Sequence, residues 1–397
     1  MRVALAFSGG LDTSFCVAYL ARERGAEVVT VTVDTGGMDR AQLDRVAEQS
    51  RATGAAAHRE VNARQAVWDR FVATLIRGNV LRGGVYPVSV AAERTQQAVE
   101  VAAVAREIGA EAVAHGSTGA GNDQVRFDVA FAVLLPGVPV LAPVRSLGTA
   151  REQAVAYLEK QGLPVPAGAG RYSVNRGLWG TTLGGGWTHD PWAGPPADAW
   201  PEGAPEPTLP SADVTIAWRE GLPVAIDGEV LPGPELVEAL DAKLRPFGIG
   251  RGVHLGETVL GIKGRVGFEA GAAVVLVHAH RELEKLVLTR WQSFWKDHVA
   301  QFWGDRLHEG QAFDPVMADI EALIVSAQRR VEGETRVRLE PGRFSVEGVR
   351  SPYSLVDPAV ARYGESHAQW TGEEARAFAK IAAIPAVLAA RAGSRRP

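Results

Sequence analysis

The opening of the chain constrains its fold more than any other stretch. Residues 2–7 (Arg-Val-Ala-Leu-Ala-Phe) form a short apolar run of strand type, which stops at Ser8-Gly9-Gly10 and gives way to a helical pattern from about Asp12 to Arg24, closed by Gly25. A second strand, Val28 to Val33, leads through Gly36-Gly37 into a helical pattern carrying Leu43, Val46 and Ala47. The rhythm continues with a strand near Ala55 to Val61, helices through Trp68 and Leu75 and from about Ala92 to Ile108, and a strand at Ala112 to Ala114. A strand at Val138 to Ala142 and a helix at Ala150 to Lys160 complete it. Such alternation implies a parallel sheet with helices on both faces, and ligands then sit at the carboxyl ends of the strands. The segments after Phe7, Val33 and Ala114 are therefore the places to look.

The later chain has a different character. Pro191 to Pro210 is rich in proline, glycine, alanine and acidic residues and reads as a surface connection. Val214 to Trp218 and the turn Asp227-Gly228 suggest antiparallel hairpins, followed by a helix at about Glu235 to Leu244. The stretch Glu282 to Arg306 is rich in Leu and Trp, and Asp314 to Arg330 is an amphipathic helix with Met317, Ile320, Leu323 and Ile324 on one side. Two short strands follow near Arg336 to Leu339 and Phe344 to Val349. Gly372 to Ala390 reads as a helix interrupted at Pro385, either packed on its own domain or reaching to a neighbouring subunit. The expected fold is α/β. It has a doubly wound parallel-sheet nucleotide-binding domain (1–166), an α+β domain for substrate and oligomer contacts (167–370) and a C-terminal helical arm (371–397). No internal repeat is found.

Composition narrows the function. A chain of 397 residues can bury more than one core. One cysteine, Cys16, excludes an internal disulfide and any metal site built from several thiolates. A net charge of −4 gives no global attraction to nucleic acid. No apolar run reaches the ~18 residues of a membrane span, and no signal-peptide pattern opens the chain. The expectation is a soluble cytoplasmic enzyme without nucleic-acid or membrane partners.

The first motif is Ala6-Phe7-Ser8-Gly9-Gly10-Leu11-Asp12-Thr13-Ser14. A strand that turns directly into a helix exposes unpaired backbone N–H groups at the positive end of the helix dipole, so an anion is favoured there. Gly9 and Gly10 let the backbone approach phosphate oxygens, and Ser8, Thr13 and Ser14 add hydroxyl donors. Asp12 fits either helix capping or the holding of Mg²⁺ against phosphates. The string lacks the lysine of a Walker loop, which favours gripping a pyrophosphate leaving group over γ-phosphate transfer. It resembles the pyrophosphate loop of the ATP pyrophosphatases, which cleave ATP between the α and β phosphates. Within that family it is most similar to argininosuccinate synthase. The resemblance places Val33, at the end of the second strand, against adenine; as a bare residue it is also an ordinary buried strand valine.

The second motif runs His115-Gly116-Ser117-Thr118-Gly119-Ala120-Gly121-Asn122-Asp123-Gln124-Val125-Arg126-Phe127. Its glycines permit a loop folded closely around a ligand. Thr118 and Asn122 suit a carboxylate, Asp123 an ammonium group, and Arg126 a second carboxylate through its planar fork. Two zwitterionic amino acids would use the set fully. His115 is read as structural. The loop resembles the second signature of argininosuccinate synthase. That likeness implies that Gly116 lies against the nucleotide, that Thr118, Asn122 and Asp123 bind aspartate, and that Asn122 and Arg126 bind citrulline. Ala120 stands where a lysine is usual.

Weaker matches extend the resemblance to about Leu286. Tyr86 and Arg94 fall at substrate positions, although Val90 and Ala91 replace a Thr-Ser pair. The segment Tyr172-Ser173-Val174-Asn175 is taken as a loop similar to Tyr-Ser-x-Asp, with Thr182 nine residues after Ser173. Gly261-Ile262-Lys263-Gly264-Arg265 resembles Gly-Met-Lys-Ser-Arg. Counting from it puts Gly256 where a citrulline-binding glutamate is expected, Glu257 one residue away, and Phe268 in place of a tyrosine. Glu257 is either a replacement acid or an exposed loop residue.

What the resemblance implies is an AMP-forming ligation of citrulline and aspartate through citrullyl-AMP, with ATP and Mg²⁺, in a homotetramer. Asp12 and Asp123 would be the catalytic carboxylates, Asp12 at the metal and Asp123 placing the aspartate amine. Adenylation of another acceptor, and a non-catalytic nucleotide sensor, are the other readings of the same motifs.

Overall fold

The computed structural model describes residues 1–166, 172–206 and 208–393, so the domain boundary expected near residue 167 lies outside the described residues. The chain divides into two compact units, 1–353 and 354–397.

The first unit begins with five strands, β1 (Arg2–Ala6), β2 (Glu27–Asp34), β3 (Ala57–Asn62), β4 (Ala112–Ala114) and β5 (Val140–Leu141). They pair in parallel in the order β3-β2-β1-β4-β5. Between them run α1 (Leu11–Glu23), α2 (Arg40–Ala52), α3 (Arg64–Val67), one π turn (Trp68–Val72), α4 (Ala73–Arg77), α5 (Ser89–Glu107) and α6 (Asp123–Leu134), with α7 (Pro143–Leu147) and α8 (Arg151–Lys160) after β5. Strand alternation explains the layering, because successive side chains of β1 point to opposite faces. Val3, Leu5 and Phe7 pack with Phe15, Val17 and Leu20 of α1 and Leu158 of α8. Ala4, on the other face, packs with Val101 and Ala102 of α5 and Phe127 and Phe131 of α6. The expected doubly wound sheet is present.

Two antiparallel sheets follow. Strands β6 (Tyr172–Gly177), β7 (Gly180–Gly185), β11 (Arg251–Glu257) and β12 (Lys263–Glu269) form a sheet in the order β11-β12-β7-β6. The other is built from β8 (Ala212–Arg219), β9 (Leu222–Ile226), β10 (Glu229–Val230), β13 (Gly333–Glu340) and β14 (Arg343–Arg350), ordered β10-β9-β8-β13-β14. The hairpin expected around Asp227-Gly228 and the pair near 336–349 are both found here. Helices α9 (Gly233–Leu244), α10 (Gly271–Val287), α11 (Arg290–His308) and α12 (Val316–Ala327) complete this part.

The sequence motif boundaries miss one feature of the long crossover between β3 and β4. Its first half leaves the parallel sheet, so that Trp68, Phe71, Val72, Leu75 and Ile76 fill the second core with Trp218, Leu236, Leu276 and Trp303. The crossover returns through a turn that ends at Val88, a buried β-branched residue with φ 61°. Such a conformation costs on the order of 1–3 kcal/mol. Burial and a hydrogen bond from Trp179 Nε1 to the Pro87 carbonyl at 2.9 Å hold it there. Helix α5 consequently starts at Ser89, ahead of the expected Ala92.

The second core also encloses charges. Lys296 Nζ lies 2.7 Å from Glu284 Oε2, and both side chains are almost wholly buried. Asn79 and Gln328 donate to the same carboxylate, and both also contact the ring of His280. Burial pushes that imidazole down to about 4, so it is neutral at ordinary pH.

Unit 354–397 contains a two-residue strand pair (Ala361–Arg362 with Ser366–His367) and helices α13 (Gly372–Ala382) and α14 (Ile384–Gly393). Thr371 and Glu374 form a capping box at the start of α13. Phe378, Ile381, Ile384 and Leu388 are exposed. No helix among the described residues is long and apolar enough to cross a membrane.

Removing one partner of a buried ion pair strands the other charge. Lys296→Met is expected to lower stability by about 3–5 kcal/mol, read as a fall in the urea midpoint. Lys296→Met combined with Glu284→Gln should recover part of that loss; no recovery would contradict a charge-pairing role.

Candidate active site

The strand order reverses between β1 and β4: the chain builds β1, β2 and β3 outward on one side, then crosses to lay β4 on the other. A crevice opens at that point beyond the carboxyl ends of the strands. It forms one end of a cleft of about 1810 Å³.

At this end the cleft is lined by Ala6, Phe7, Ser8, Gly9, Gly10, Leu11, Asp12 and Thr13. Gly9 adopts φ 74°, and a Cβ there would also press on Val46 Cγ2 at 3.0 Å. Gly10 caps α1 with no side-chain hydrogen bond, so the first-turn amides face the cleft without a capping side chain. Ser8 Oγ and Thr13 Oγ1 lie 3.3 Å apart beside them. Ser14 does not join this group. It is buried and accepts a hydrogen bond from Gln49 Nε2 at 3.3 Å, because the helix turns its side chain toward α2. Burial raises the Asp12 carboxyl above its usual range, with the Arg151 guanidinium opposing. Val33, Val101 and Phe127 supply an apolar wall nearby.

The two motifs are joined by backbone contact. A Cβ on Gly116 would lie 2.9 Å from Thr13 Cγ2 and 3.1 Å from Thr13 N, so only glycine lets the second loop rest on the start of α1. That loop is braced from behind. His115 Nε2 lies 3.0 Å from Asp128 Oδ1, and its Nδ1 accepts from Ser117 N–H at 3.2 Å, in keeping with a structural role. Arg145 donates to Gln124 Oε1 at 3.0 Å and to Asp128 Oδ2 at 2.5 Å.

Beyond this junction lies a charged cluster. Asp123 accepts from Arg94 Nε at 3.0 Å and from Arg126 Nη1 at 2.7 Å. The two guanidiniums outweigh burial and hold its carboxyl below the usual range. Arg94 also reaches Asn175 Oδ1 at 2.5 Å, and Arg126, itself buried, donates twice to the His308 carbonyl, at 3.1 and 2.9 Å. Much of the Arg126 fork is thus committed within the protein. The triad carries one net positive charge and suits a ligand carboxylate. Thr118 and Asn122 line the same region, and Asn122 Oδ1 accepts from Val259 N–H at 2.8 Å, tying the β11–β12 turn to the second loop.

The far wall is one face of the four-stranded sheet. The segment taken as a loop is strand β6. Ser173 pairs with Gly184, Asn175 with Thr182, Thr182 with Phe268, and Gly256 with Gly264, which puts all of them on the same face. Ser173 and Thr182 line the cleft. Phe268 shares that face without lining the cleft; it is buried behind Tyr86, ring centroids 5.6 Å apart. Glu257 sits at the rim, largely exposed and bonded to Lys263 Nζ at 2.8 Å.

The cleft also contains residues that sequence reasoning passed over. Arg151 opens α8, the second helix after β5, and lines the cleft. Arg45 and Gln49 line the cleft from α2, and His254, Arg265 and His308 line its far part. Burial, reinforced by Arg126 and Arg82, drives His308 down to about 2. Nothing in the residue pattern marks these histidines. Cys16 is buried and its thiol is pushed up to about 12, chiefly by burial, which makes it a poor nucleophile.

Comparison with known proteins gives two family matches. Residues 2–164 match the arginosuccinate synthase N-terminal HUP domain, and residues 172–389 the arginosuccinate synthase C-terminal domain. An argininosuccinate synthase of Xanthomonas campestris is 39% identical, with 98% of each chain covered. That of Pyrobaculum aerophilum is 38% identical, again with 98% of each covered, and that of Saccharolobus solfataricus is 35% identical over 98% of this chain and 99% of its own.

Beside Arg94 sits Glu93, buried, with Oε1 lacking a hydrogen-bond partner among the described residues. Burial raises its carboxyl to about 8. Because the folded pKa exceeds the unfolded one, Glu93 favours the folded state below pH 4.5, and that contribution is lost as pH rises toward 8. Glu93→Gln is expected to be the more stable protein at pH 8, with the advantage shrinking toward pH 5, as read from urea midpoints across that range. Parallel curves for the two proteins would refute the assignment.

Proposed function

We infer, because the chain belongs to the argininosuccinate synthase family, that it joins citrulline to aspartate in an ATP-consuming ligation that releases AMP and pyrophosphate, a step of arginine biosynthesis. The observation that carries this reading is the contact of Gly116 on Thr13, which sets a phosphate-binding helix start directly beside the Arg94–Asp123–Arg126 cluster in one cleft.

In this reading the β- and γ-phosphates lie on the amides of Gly9, Gly10 and the first turn of α1, with Ser8 and Thr13 hydroxyls donating to them. Arg151 adds positive charge from the cleft wall. The base occupies the wall of Val33, Val101 and Phe127. Asp12 offers one carboxylate at the phosphate loop, which fits Mg²⁺, an ion commonly held by one or two carboxylates together with substrate phosphates. Such an ion would supply neutralising charge as pyrophosphate departs.

The ureido oxygen of citrulline attacks the α-phosphorus, forming an O–P bond as the bond to the β-phosphate oxygen breaks. The aspartate amine then attacks the ureido carbon, AMP leaves with the oxygen, and the amine gives up its proton to solvent. Tyr86, Asn122, Arg126, Ser173 and Thr182 are assigned to citrulline, and Thr118, Asn122 and Asp123 to aspartate, with Arg94 holding the Asp123 carboxylate. The chain's contribution is mostly positioning and electrostatic stabilisation of phosphoryl charge.

A homotetramer is part of the same reading, as is a cytoplasmic location. Helix α11 leaves Trp291, Phe294, Trp295 and Phe302 exposed, and α13 leaves Phe378 and Ile381 exposed; apolar surface on this scale favours contact with another subunit.

Pyrophosphate release should require both citrulline and aspartate, and the nucleotide product should be AMP. Release with neither amino acid, or formation of ADP, would overturn the ligase. Removing the residues after Gly372 should lower the mass measured by light scattering; an unchanged mass would exclude the C-terminal helices as the subunit contact.

A further inference from the structure

On strand β11 the side chains of residues 254 and 256 project to the same face, the one that walls the cleft. Residue 256 is glycine and faces another glycine, Gly264, across the strand pair, so the wall there has no side chain of its own. The imidazole of His254 occupies that space. A Cβ built on Gly256 would lie 2.5 Å from His254 Nε2, and one on Gly83, from the opposite side, 3.0 Å from Cε1. The ring is stacked on Tyr86, centroids 5.6 Å apart and planes 20° from parallel. It is therefore fixed in place by packing, half-buried, and among the residues that line the cleft.

The surrounding charges define what this ring can recognise. Among the described residues five acids line the cleft: Asp12, Glu48, Asp123, Asp198 and Glu257. Asp12 and Glu48 stand on α1 and α2, at the phosphate end. Asp123 is held by two arginines, Asp198 accepts the Tyr172 hydroxyl at 2.7 Å, and Glu257 pairs with Lys263 at the rim. Arg82, the cation whose charge acts on His254, is paired with Asp305 at 2.8 Å. Burial and Arg82 lower the imidazole's pKa, so it presents one donor and one acceptor without charge.

We propose that His254 is the specificity-determining contact for the head of the ureido acceptor, the end remote from the reacting urea, and that it recognises this head by a neutral hydrogen bond instead of pairing an ammonium group with a carboxylate. The proposal rests on the ligase reading above. It implies that the acceptor class is broader than α-amino acids: a ureido acid lacking the α-ammonium group keeps the reacting urea and the carboxylate, and loses no ion pair in this cleft. A site built on a buried carboxylate behaves oppositely, because the missing ammonium leaves that charge unpaired.

The test is the rate of pyrophosphate release with ATP and aspartate, comparing citrulline with its deamino analogue 5-ureidopentanoate. The wild-type kcat/KM values are expected to agree within about tenfold, whereas loss of a charged hydrogen bond would separate them by about a hundredfold. His254→Phe keeps a ring on Tyr86 and removes both nitrogens; it should raise the acceptor KM about tenfold or more, leaving KM for ATP and aspartate unchanged. His254→Gln, a neutral residue that both donates and accepts, should recover part of that loss. His254→Ala with Gly256→Glu places a carboxylate in the vacated space and should turn the preference to citrulline. Rejection of 5-ureidopentanoate by more than about a hundredfold in the wild type overturns the proposal, as does an acceptor KM unaltered in both His254→Phe and His254→Gln. Failure of the wild type to release pyrophosphate with any acceptor is a separate outcome and removes the ligase reading itself.

Discussion

The arrangement depends on a backbone contact with no room for a side chain, Gly116 lying on Thr13 at the first turn of α1. Adjacent parallel strands already bring the two loops to the same edge of the sheet, but only to within the spacing of neighbouring strands. The absent Cβ closes the remaining gap. A helix start that favours anions then shares a wall with a loop whose other end carries Asp123, and two chemistries that lie far apart in sequence occupy one space. The rest of the second loop is organised to keep that contact. His115, Asp128, Arg145 and Gln124 brace it from behind, and Asn122 ties it to the turn between β11 and β12.

Charge is distributed along the cleft with a corresponding division. At the nucleotide end, cationic character comes from unpaired amides and Arg151. At the other it comes from guanidiniums whose forks are already partly occupied, Arg94 by Asp123 and Asn175, and Arg126 by Asp123 and the His308 carbonyl. Such prior engagement restricts their rotation, so that less conformational freedom remains to be lost when a ligand carboxylate arrives. Burial and nearby arginines lower the pKa of His254 and His308, and the positive charge of that part of the cleft therefore rests with arginine, which does not titrate near neutrality.

The two glycine-rich loops were legible because their chemistry is written in contiguous residues. Ser8 to Thr13 and Gly116 to Arg126 each form one wall segment, and the parallel sheet that presents them follows from the alternation of strand and helix. Ser14 adjoins the loop in sequence, but a helix rotates successive side chains by about 100°, and its hydroxyl turns inward. Tyr172 to Asn175 reads as a loop and is a strand: a hairpin with Gly177 and Gly180 at its turn and glycines at 184 and 185 looks loop-like to any pattern reading. Glu257 shows the limit of counting from a motif, since neighbouring strand positions face opposite sides, and Phe268 shows that a residue on the cleft face can still be covered, here by Tyr86. Arg265, His254 and His308 reach the cleft through a sheet register and a helix end that no local pattern encodes.

The crossover between β3 and β4 has a consequence for biogenesis. Trp68, Phe71, Leu75 and Ile76 emerge from the ribosome early, whereas Trp218, Leu276 and Trp303, which cover them, come much later in the chain. At about 5–20 residues per second, the interval is on the order of ten seconds or more. During that time the nascent parallel sheet carries a greasy flap with nothing to rest on, a natural target for a holding chaperone, and the amino-terminal half cannot mature as an autonomous piece.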